Sequence, residues 1–277
     1  MPLPGSLSLV LPAHNEAANI RPVVERALET LPGFTSEFEI IVVDDGSRDA
    51  TGEIVAAMAA ADPRVRLARH PRNLGYGAAL TSGFTVSTGD YVMFMDSDRQ
   101  FDIGDLRLLS PFVGDYDIVA GFRLERSDPL HRRVFAEVFN VIVRALFGVH
   151  LRDIDCAFKV FRGDLIRSLE LSVPGALINT EIQAKARRQH ARLIQVGVHH
   201  YPRVAGQATG GSLRVIARAM RETLELWWRM RDYRPPVQDA EPRDSLRPGE
   251  IAAFGLLAAG AATAIAVLAA VIRRRRR

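Results

Sequence analysis

Two aspartates two positions apart follow directly on an apolar stretch in YVMFMDSDRQFD, residues 91–102. Because successive residues of a strand point to opposite faces, Asp96 and Asp98 can present their carboxylates on the same side. Two anions held so close repel each other unless a cation or several hydrogen-bond donors lie between them. A divalent cation that bridges to a phosphate satisfies both aspartates. The alternative is an acidic loop that caps the next helix.

Polar residues occupy the same position after two earlier apolar runs. Asp44 and Asp45 follow FEIIVV, and Pro12, His14 and Glu16 lie at the end of LSLVL and just beyond it. A carboxylate at such a place either accepts hydrogen bonds from a nucleobase or ribose, or caps the helix that comes next. Glu16 offers the same choice between a helix cap and, with Pro12 and His14, the lining of a nucleotide pocket.

The elements that must position these residues alternate between strand and helix patterns. Apolar runs predict strands at residues 7–12, 38–47, 64–70, 90–98 and 116–123, and helical spacing predicts helices at 15–31, 50–61 and 75–87. Apolar strands separated by helices indicate an α/β fold with a mainly parallel sheet covered on both faces. Ligands of such sheets bind beyond the carboxyl ends of the strands, which is where all three polar clusters fall.

Composition and charge exclude several classes of protein. The 277 residues are 48% hydrophobic and 25% charged, which suits one large or two small domains. The formal net charge is +4, but five of the positive charges are the terminal arginines 273–277, which leaves −1 for residues 1–272. A near-neutral body with a basic tail is not typical of nucleic-acid binding, so no nucleic-acid partner is expected. The single Cys156 excludes an intrachain disulfide.

Known nucleotide and hydrolase motifs are also missing from the chain. The GYGAAL stretch does not match the dinucleotide fingerprint and follows the third predicted strand, not the first. No Walker A sequence and no G-x-S-x-G elbow occurs.

The last quarter of the chain differs in composition from the rest. Residues 212–233 have helical spacing, with an apolar face and flanking arginines, and predict a helix that either packs on the domain or lies in a membrane interface. Residues 234–250 are rich in proline and charge, which indicates a linker. Residues 251–272 are uncharged and long enough to cross a bilayer, and the basic tail 273–277 follows. The alternative for 251–272 is a buried alanine-rich helix.

Four motifs in the first half and two in the second resemble glycosyltransferase family 2. They are VLPAHNEAANI, IIVVDDGSRDAT, NLGYGAALTSGF, GDYVMFMDSDRQFD, DIDCAFKVFRGDLI and HHYPRVAGQATGG, and they span roughly residues 6–232. The last two are similar to segments of the members that transfer sugars to dolichyl or bacterial polyprenyl phosphates. The resemblance implies a GT-A fold in residues 1–211, which is Rossmann-like, and the apolar run 251–272 adds the expectation of a C-terminal membrane helix. The loop after HHYPR lacks the Ser-Lys usual in the family, and it therefore does not identify the donor.

The resemblance also implies roles for matching residues. The nucleotide pocket is implied for Pro12, His14, Glu16, Asp44, Asp45 and Asp96, and the ligands of Mg²⁺ or Mn²⁺ for Asp96, Asp98 and Gln100. The implied catalytic residues are Asp98, Asp153 and Arg203, of which Arg203 reaches the diphosphate. The implied acceptor residues are Arg123, Arg132, Arg133 and Glu181. For Arg132 and Arg133 the alternative is a solvated helix face, and Asp153 and Glu181 are either near the acceptor or structural.

The expected activity is inverting, metal-dependent transfer from a nucleoside-diphosphate sugar to a polyprenyl phosphate. The alternatives are a glycan or protein acceptor, or a catalytically silent nucleotide-binding scaffold. We expect a single-pass protein of the inner membrane with a cytoplasmic catalytic domain, because no export signal is visible. The basic tail 273–277 favours the opposite topology, because positive residues favour the cytoplasmic side and a cytoplasmic tail would place the catalytic domain outside.

Overall fold

The computed structural model describes residues 1–124, 141–203 and 213–235, and for 213–220 only the backbone. In this part of the chain the strands form one seven-stranded sheet. They are β1 (Leu7–Ala13), β2 (Phe38–Asp44), β3 (Val65–Arg69), β4 (Tyr91–Met95), β5 (Ile118–Arg123), β6 (Phe158–Arg162) and β7 (Leu193–Val198). The five strands predicted from the sequence are confirmed as β1 to β5.

Helices connect the strands. They are α1 (Ile20–Thr30), α2 (Thr51–Ala61), α3 (Tyr76–Val86), α4 (Leu106–Leu109), α5 (residues 141–147), α6 (Gly163–Ser168), α7 (Ile178–Arg188) and α8 (Leu213–Asp232). The helix predicted at 15–31 begins later, at Ile20. Asn15 instead adopts a left-handed backbone with φ of 57°, and its side-chain oxygen accepts a hydrogen bond from the backbone N–H of Arg48. The segment after β1 is therefore a loop at the carboxyl edge of the sheet.

The strand order is β3-β2-β1-β4-β6-β5-β7. The first four strands are mutually parallel, β6 runs antiparallel to both of its neighbours, and β5 pairs in parallel with β7. The sheet is thus mainly parallel, as predicted, but β6 and β7 were not among the predicted strands. All seven residues of β1 are buried, which is expected of a central strand covered on both faces.

The core between β4, β6 and α3 is aromatic. Phe84 of α3 lies edge-on to Phe94 of β4 and to Phe161 of β6, with ring centroids 6.0 and 6.2 Å apart. Phe94 and Phe161 stack at 6.0 Å. Aromatic pairs at such distances contribute about 0.5–1.5 kcal/mol each beyond the area they bury. They bind the antiparallel strand β6 to the parallel half of the sheet and so fix the loop that precedes β6.

Helix α8 packs through one stripe and leaves another exposed. Leu226 and Met230 are buried, whereas Leu224 and Trp228 are 55% and 62% exposed. The helix agrees to within one residue with the predicted 212–233. No helix in the described ranges has the length and apolar character that a bilayer crossing requires. The predicted linker from residue 236 onward, the span 251–272 and the basic tail lie outside these ranges.

Candidate active site

The carboxyl ends of β1, β2 and β4 meet at one edge of the sheet and bring the predicted polar clusters together. Ala13 pairs with Asp44 in the ladder between β1 and β2, and β4 lies on the other side of β1. The hydroxyl of Ser97 donates to the carbonyl of Pro12 at 2.8 Å. Ser97 therefore points into the protein, and its hydrogen bond connects the turn after β4 to β1. The aspartates on either side of it remain at the edge.

Asp98 is held by an arginine from a distant part of the chain. Arg203 Nη2 donates to Asp98 Oδ2 at 2.7 Å, and Arg203 Nη1 lies 3.9 Å from Glu16 Oε1. Asp98 is buried, whereas the Arg203 side chain is 29% exposed. The structure thus brings together three of the predicted residues, and the guanidinium offsets the charge of Asp98 and lies beside Glu16.

Asp96 lies beside this pair in an unfavourable environment for a charge. The hydroxyl of Tyr76 donates to Asp96 Oδ1 at 3.0 Å. Burial, and then the negative charge of Asp98, raise the pKa of Asp96 to about 7, although Tyr76, Lys159 and Arg203 oppose this. A cation close to such a carboxyl group stabilises its ionised form and lowers its pKa.

Gln100 connects the aspartate turn to the segment that carries Arg203. The backbone N–H of Gln100 donates to Asp98 Oδ1 at 3.0 Å, and its side-chain amide donates to the Tyr201 carbonyl at 3.3 Å. The N–H of Tyr201 returns a bond of 2.9 Å to the Gln100 carbonyl. In this structure the amide of Gln100 therefore fixes residues 201–203 against the turn.

Two carboxylates suit a divalent cation here. Within residues 1–124, 141–203 and 213–235 no cluster of three or more acidic, histidine or cysteine side chains has the geometry of a metal site. Asp96 and Asp98 alone would leave positions for other oxygens. Mg²⁺ is commonly held in this way, by one or two carboxylates together with substrate phosphates and water.

Asp44 and Asp45 are buried and hydrogen-bonded within the protein. Asp44 is completely buried, accepts a bond of 2.9 Å from the Ser47 N–H and lies 2.9 Å from Arg69 Nε. Asp45 is 3% exposed. Its oxygens accept from His70 Nδ1 at 2.7 Å and from the N–H groups of residues 74 and 75 at 2.8 and 2.9 Å. In this structure both carboxylates are hydrogen-bonded to donors of the protein, and their contact with a nucleotide remains a prediction.

His14 is one of the residues that line an open pocket of about 740 Å³. Its Nδ1 lies 2.8 Å from the Asp45 carbonyl and its Nε2 3.1 Å from the Asn15 amide nitrogen. A carbonyl only accepts, so Nδ1 carries the proton and Nε2 accepts from Asn15. The pocket is lined by His14, Asn15, Gly46, Ser47, Arg48, Arg69, His70, Pro71, Arg72 and Asn73. Pro12 is buried in β1 and is not among these lining residues.

Arg123 and Asp153 are partners of each other. Arg123 Nε and Nη2 donate to the two oxygens of Asp153 at 2.6 and 2.8 Å, and Asp153 is 4% exposed. Such a bidentate pair fixes the plane of the guanidinium. The structure therefore makes Asp153 the anchor of Arg123 and not an exposed base. Arg132 and Arg133 lie outside the described residues.

Glu181 has a structural role. Its carboxylate is 1% exposed and accepts from the N–H groups of Ser172 and Val173 at 2.9 and 2.8 Å, from the Ser172 hydroxyl at 2.8 Å and from Lys185 at 2.9 Å. Burial works against its ionisation, but these hydrogen bonds outweigh it and lower the pKa. Of the two alternatives for Glu181, these contacts favour the structural one, since both carboxylate oxygens already accept hydrogen bonds.

Two residues near the site were not predicted from the sequence. Tyr76, which opens α3 between two glycines, reaches Asp96. Lys159 is 1% exposed and donates to the carbonyls of Ile154 and Cys156 and to Asn179 Oδ1 at 3.1 Å. Burial lowers the pKa of Lys159. The signal was a single lysine inside the apolar strand FKVFR, because such a residue must be satisfied by buried acceptors.

Comparisons with known proteins identify the family of this chain. The family model for glycosyl transferase family 2 matches residues 8–169. Glycosyltransferase AglD of Haloferax volcanii is 32% identical over 81% of this chain and 37% of its own length. The undecaprenyl-phosphate 4-deoxy-4-formamido-L-arabinose transferase of Pseudomonas aeruginosa is 30% identical over 76% of this chain and 62% of its own length. The chain spans less than two thirds of these relatives.

Solved structures show the fold. Glucosyl-3-phosphoglycerate synthase from Mycobacterium tuberculosis, in complex with Mn²⁺, uridine diphosphate and phosphoglyceric acid, superposes with a TM-score of 0.61. The match covers 82% of this chain and 78% of that one at 24% identity. The architecture is accordingly the expected α/β GT-A fold. With the family model matching more than half of its length, the chain belongs to glycosyltransferase family 2.

Proposed function

We propose that this protein transfers a sugar from a nucleoside-diphosphate sugar to a polyprenyl phosphate at a membrane surface, with inversion at the anomeric carbon. The observation that carries the proposal is the arrangement of Asp96, Asp98 and Arg203 at the carboxyl edge of the parallel strands. It combines two carboxylates for a cation with one guanidinium for a phosphate. The similarity to undecaprenyl-phosphate sugar transferases supports the acceptor class.

The donor would bind across this edge. Asp96 and Asp98 would hold Mg²⁺ or Mn²⁺, which supplies positive charge to the diphosphate as it leaves. Arg203, now on Asp98, would reach the same phosphates. The open pocket beside His14 is the place for the nucleoside, and its arginines and loop backbone would contact it.

The acceptor side would be formed by Arg123. A phosphate oxygen is already anionic near neutral pH, so the reaction needs positioning more than a strong general base. This fits the finding that Asp153 is buried and bound to Arg123. The pair would present a guanidinium of fixed orientation to the lipid phosphate, and Arg132 and Arg133 are proposed to join it.

A lipid acceptor requires an enzyme held at the bilayer. On α8, Arg231 lies 4.8 Å from the ring centroid of the exposed Trp228, and Leu224 is exposed near them. An aromatic and basic surface of this kind suits the interface of an anionic membrane. We propose that residues 251–272 span the inner membrane once, after a linker at 234–250, and that the catalytic domain 1–211 is cytoplasmic.

The test is nucleotide release from a panel of UDP- and GDP-sugars with Mn²⁺ or Mg²⁺, with and without undecaprenyl phosphate in detergent. Asp98→Asn should abolish release. Asp102→Asn, the same change four residues later, should preserve it, because the Asp102 carboxylate is 40% exposed and serves Arg26 and a local turn. An NMR assignment of the product anomer reports on inversion.

The outcomes separate the alternatives. Release that needs the lipid and Asp98 supports the proposal. Release with glycans or proteins but not with the lipid would move the acceptor to those classes. Nucleotide binding without turnover of any donor would leave a silent scaffold.

A further inference from the structure

Among the described residues, the phenol of Tyr76 contacts Asp96, one of the two aspartates of the proposed cation site. The hydroxyl of Tyr76 donates to Asp96 Oδ1 at 3.0 Å, and no described residue donates to Asp96 Oδ2 in the same way. A carboxylate fixed through one oxygen keeps its plane and presents the other oxygen in a set direction. Hydrogen bonds of this kind, made to a metal ligand by a neighbouring side chain, orient the ligand for its ion.

The first support of Tyr76 is Asp45. This buried carboxylate accepts from His70 Nδ1 and from the N–H groups of Leu74 and Gly75, the two residues that precede Tyr76. Gly75 has φ of 105°, a conformation that side chains with a Cβ rarely adopt. The loop before α3 therefore has one defined path, and it ends with the tyrosine ring directed at the aspartates.

The second support comes from the other side of α3. The carbonyl of Pro174 accepts from the N–H groups of Gly77 and Ala78 at 2.8 and 3.2 Å. A Cβ on Gly77 would lie 2.2 Å from the Val173 carbonyl oxygen, so the close approach requires glycine. Glu181 in turn holds the N–H of Val173 at 2.8 Å. Asp45 therefore holds the loop that precedes α3, and Glu181 holds the segment 173–174 that contacts the first turn of α3.

We propose that Tyr76 is a positioning residue that orients Asp96 toward the divalent cation, and that Asp45 and Glu181 act on the site through it. This rests on the proposed cation site at Asp96 and Asp98. Two acids that the sequence implied as ligand contacts would then contribute to the site indirectly, by fixing the two ends of the segment that carries the phenol. Tyr76 would touch neither the donor nor the acceptor.

The experiment measures Mn²⁺ binding to the full-length protein in detergent, by electron paramagnetic resonance, at saturating UDP and separately at saturating GDP. Tyr76→Phe keeps the ring and removes only the hydroxyl. We expect its Mn²⁺ dissociation constant to rise about 10-fold, the low end of what such partners contribute. Nucleotide binding in EDTA should be unchanged. The matched control is Tyr91→Phe, a partly buried tyrosine at the opposite end of β4, which should leave Mn²⁺ binding unchanged.

Asp45→Asn tests whether Asp45 acts on Mn²⁺ binding through Tyr76. It should weaken Mn²⁺ binding in the wild-type background and add nothing further in Tyr76→Phe, because the same hydrogen bond is already lost. A Tyr76→Phe dissociation constant within 2-fold of wild type overturns the inference and leaves the proposed function standing. Tyr76-dependent Mn²⁺ binding without lipid glycosylation would support the inference and overturn the function. A wild-type protein that binds no Mn²⁺ with either nucleotide overturns both.

Discussion

Replacing Asp96 by asparagine should stabilise the metal-free protein at alkaline pH. The pKa of this carboxyl is about 7 in the folded protein against an ordinary value of 3.8. The folded state therefore holds the proton more tightly than the unfolded chain, so the stability that Asp96 contributes is fully present below pH 3.8 and is lost as the pH rises through 7. Asparagine does not titrate and can still accept the hydrogen bond from Tyr76.

The magnitude follows from the two pKa values. At about 1.4 kcal/mol per pH unit, the difference corresponds to at most about 4 kcal/mol. Asp96 is only partly buried, so solvent screening reduces this to about 2 kcal/mol, of which roughly two thirds falls between pH 5 and pH 8. In a chain of this size, 1 kcal/mol shifts Tm by about 2–4 °C. The Tm of Asp96→Asn relative to wild type should therefore rise by about 3–5 °C from pH 5 to pH 8.

The assay is thermal unfolding in detergent and EDTA, followed by tryptophan fluorescence at both pH values. Asp49→Asn is the control. Although burial opposes it, hydrogen bonds from Thr51 and Ala17 lower the pKa of Asp49. Its titration lies below pH 5, so its effect on Tm should be the same at pH 5 and pH 8. A pH-independent difference for Asp96→Asn as well would show that this carboxylate is not desolvated and would refute the reasoning.

Three further predictions concern the buried polar residues around the site. Lys159→Met should reduce the free energy of unfolding by about 2–3 kcal/mol, because it leaves two carbonyls and an amide oxygen without a donor; urea unfolding measures it, and a loss below 0.5 kcal/mol would contradict it. Glu181→Gln should cost about 2–4 kcal/mol at pH 7 in the same assay, with the loss shrinking as the pH falls from the ordinary pKa of 4.5 through the lowered pKa of Glu181. A double-mutant cycle with Arg123→Gln and Asp153→Asn should show a coupling energy of about 2–3 kcal/mol, and additive single effects would show that the pair is not formed.

The parallel half of the fold could be predicted because its signal is local. Each of β1, β2 and β4 is an apolar run bounded by a helix pattern, and right-handed crossovers then bring their carboxyl ends to one edge. Strand β6 carries no such signal. Its direction is set by pairing with Tyr91–Met95 and with β5, and its sequence FKVFR includes a lysine whose burial depends on carbonyls from the preceding loop. Direction and partners of this kind are long-range properties that periodicity does not encode.

The sequence predicts where the candidate site lies, but it does not predict which role each acidic residue has there. Asp44 and Asp96 both follow the last residues of a buried parallel strand, and the same local pattern describes them. The neighbouring residues distinguish the two aspartates: Arg69 and His70, at the end of β3 and just after it, contact Asp44 and Asp45, whereas Tyr76 and Arg203 contact Asp96 and Asp98. These contacts join residues that are between 20 and 105 positions apart in the chain, so sequence spacing alone could not distinguish the two clusters.

The position of Arg203 has a consequence for how the proposed ligands would enter. In the structure its guanidinium neutralises Asp98, so a cation approaching Asp98 alone must displace an existing charge pair. A nucleoside diphosphate arriving alone would meet an arginine already engaged with a carboxylate. When both arrive, Asp98 exchanges the arginine for the cation, and Arg203 exchanges the carboxylate for a phosphate, so no charge is left without a partner. Cation and nucleotide would therefore favour each other's binding by the same free energy, as linkage requires.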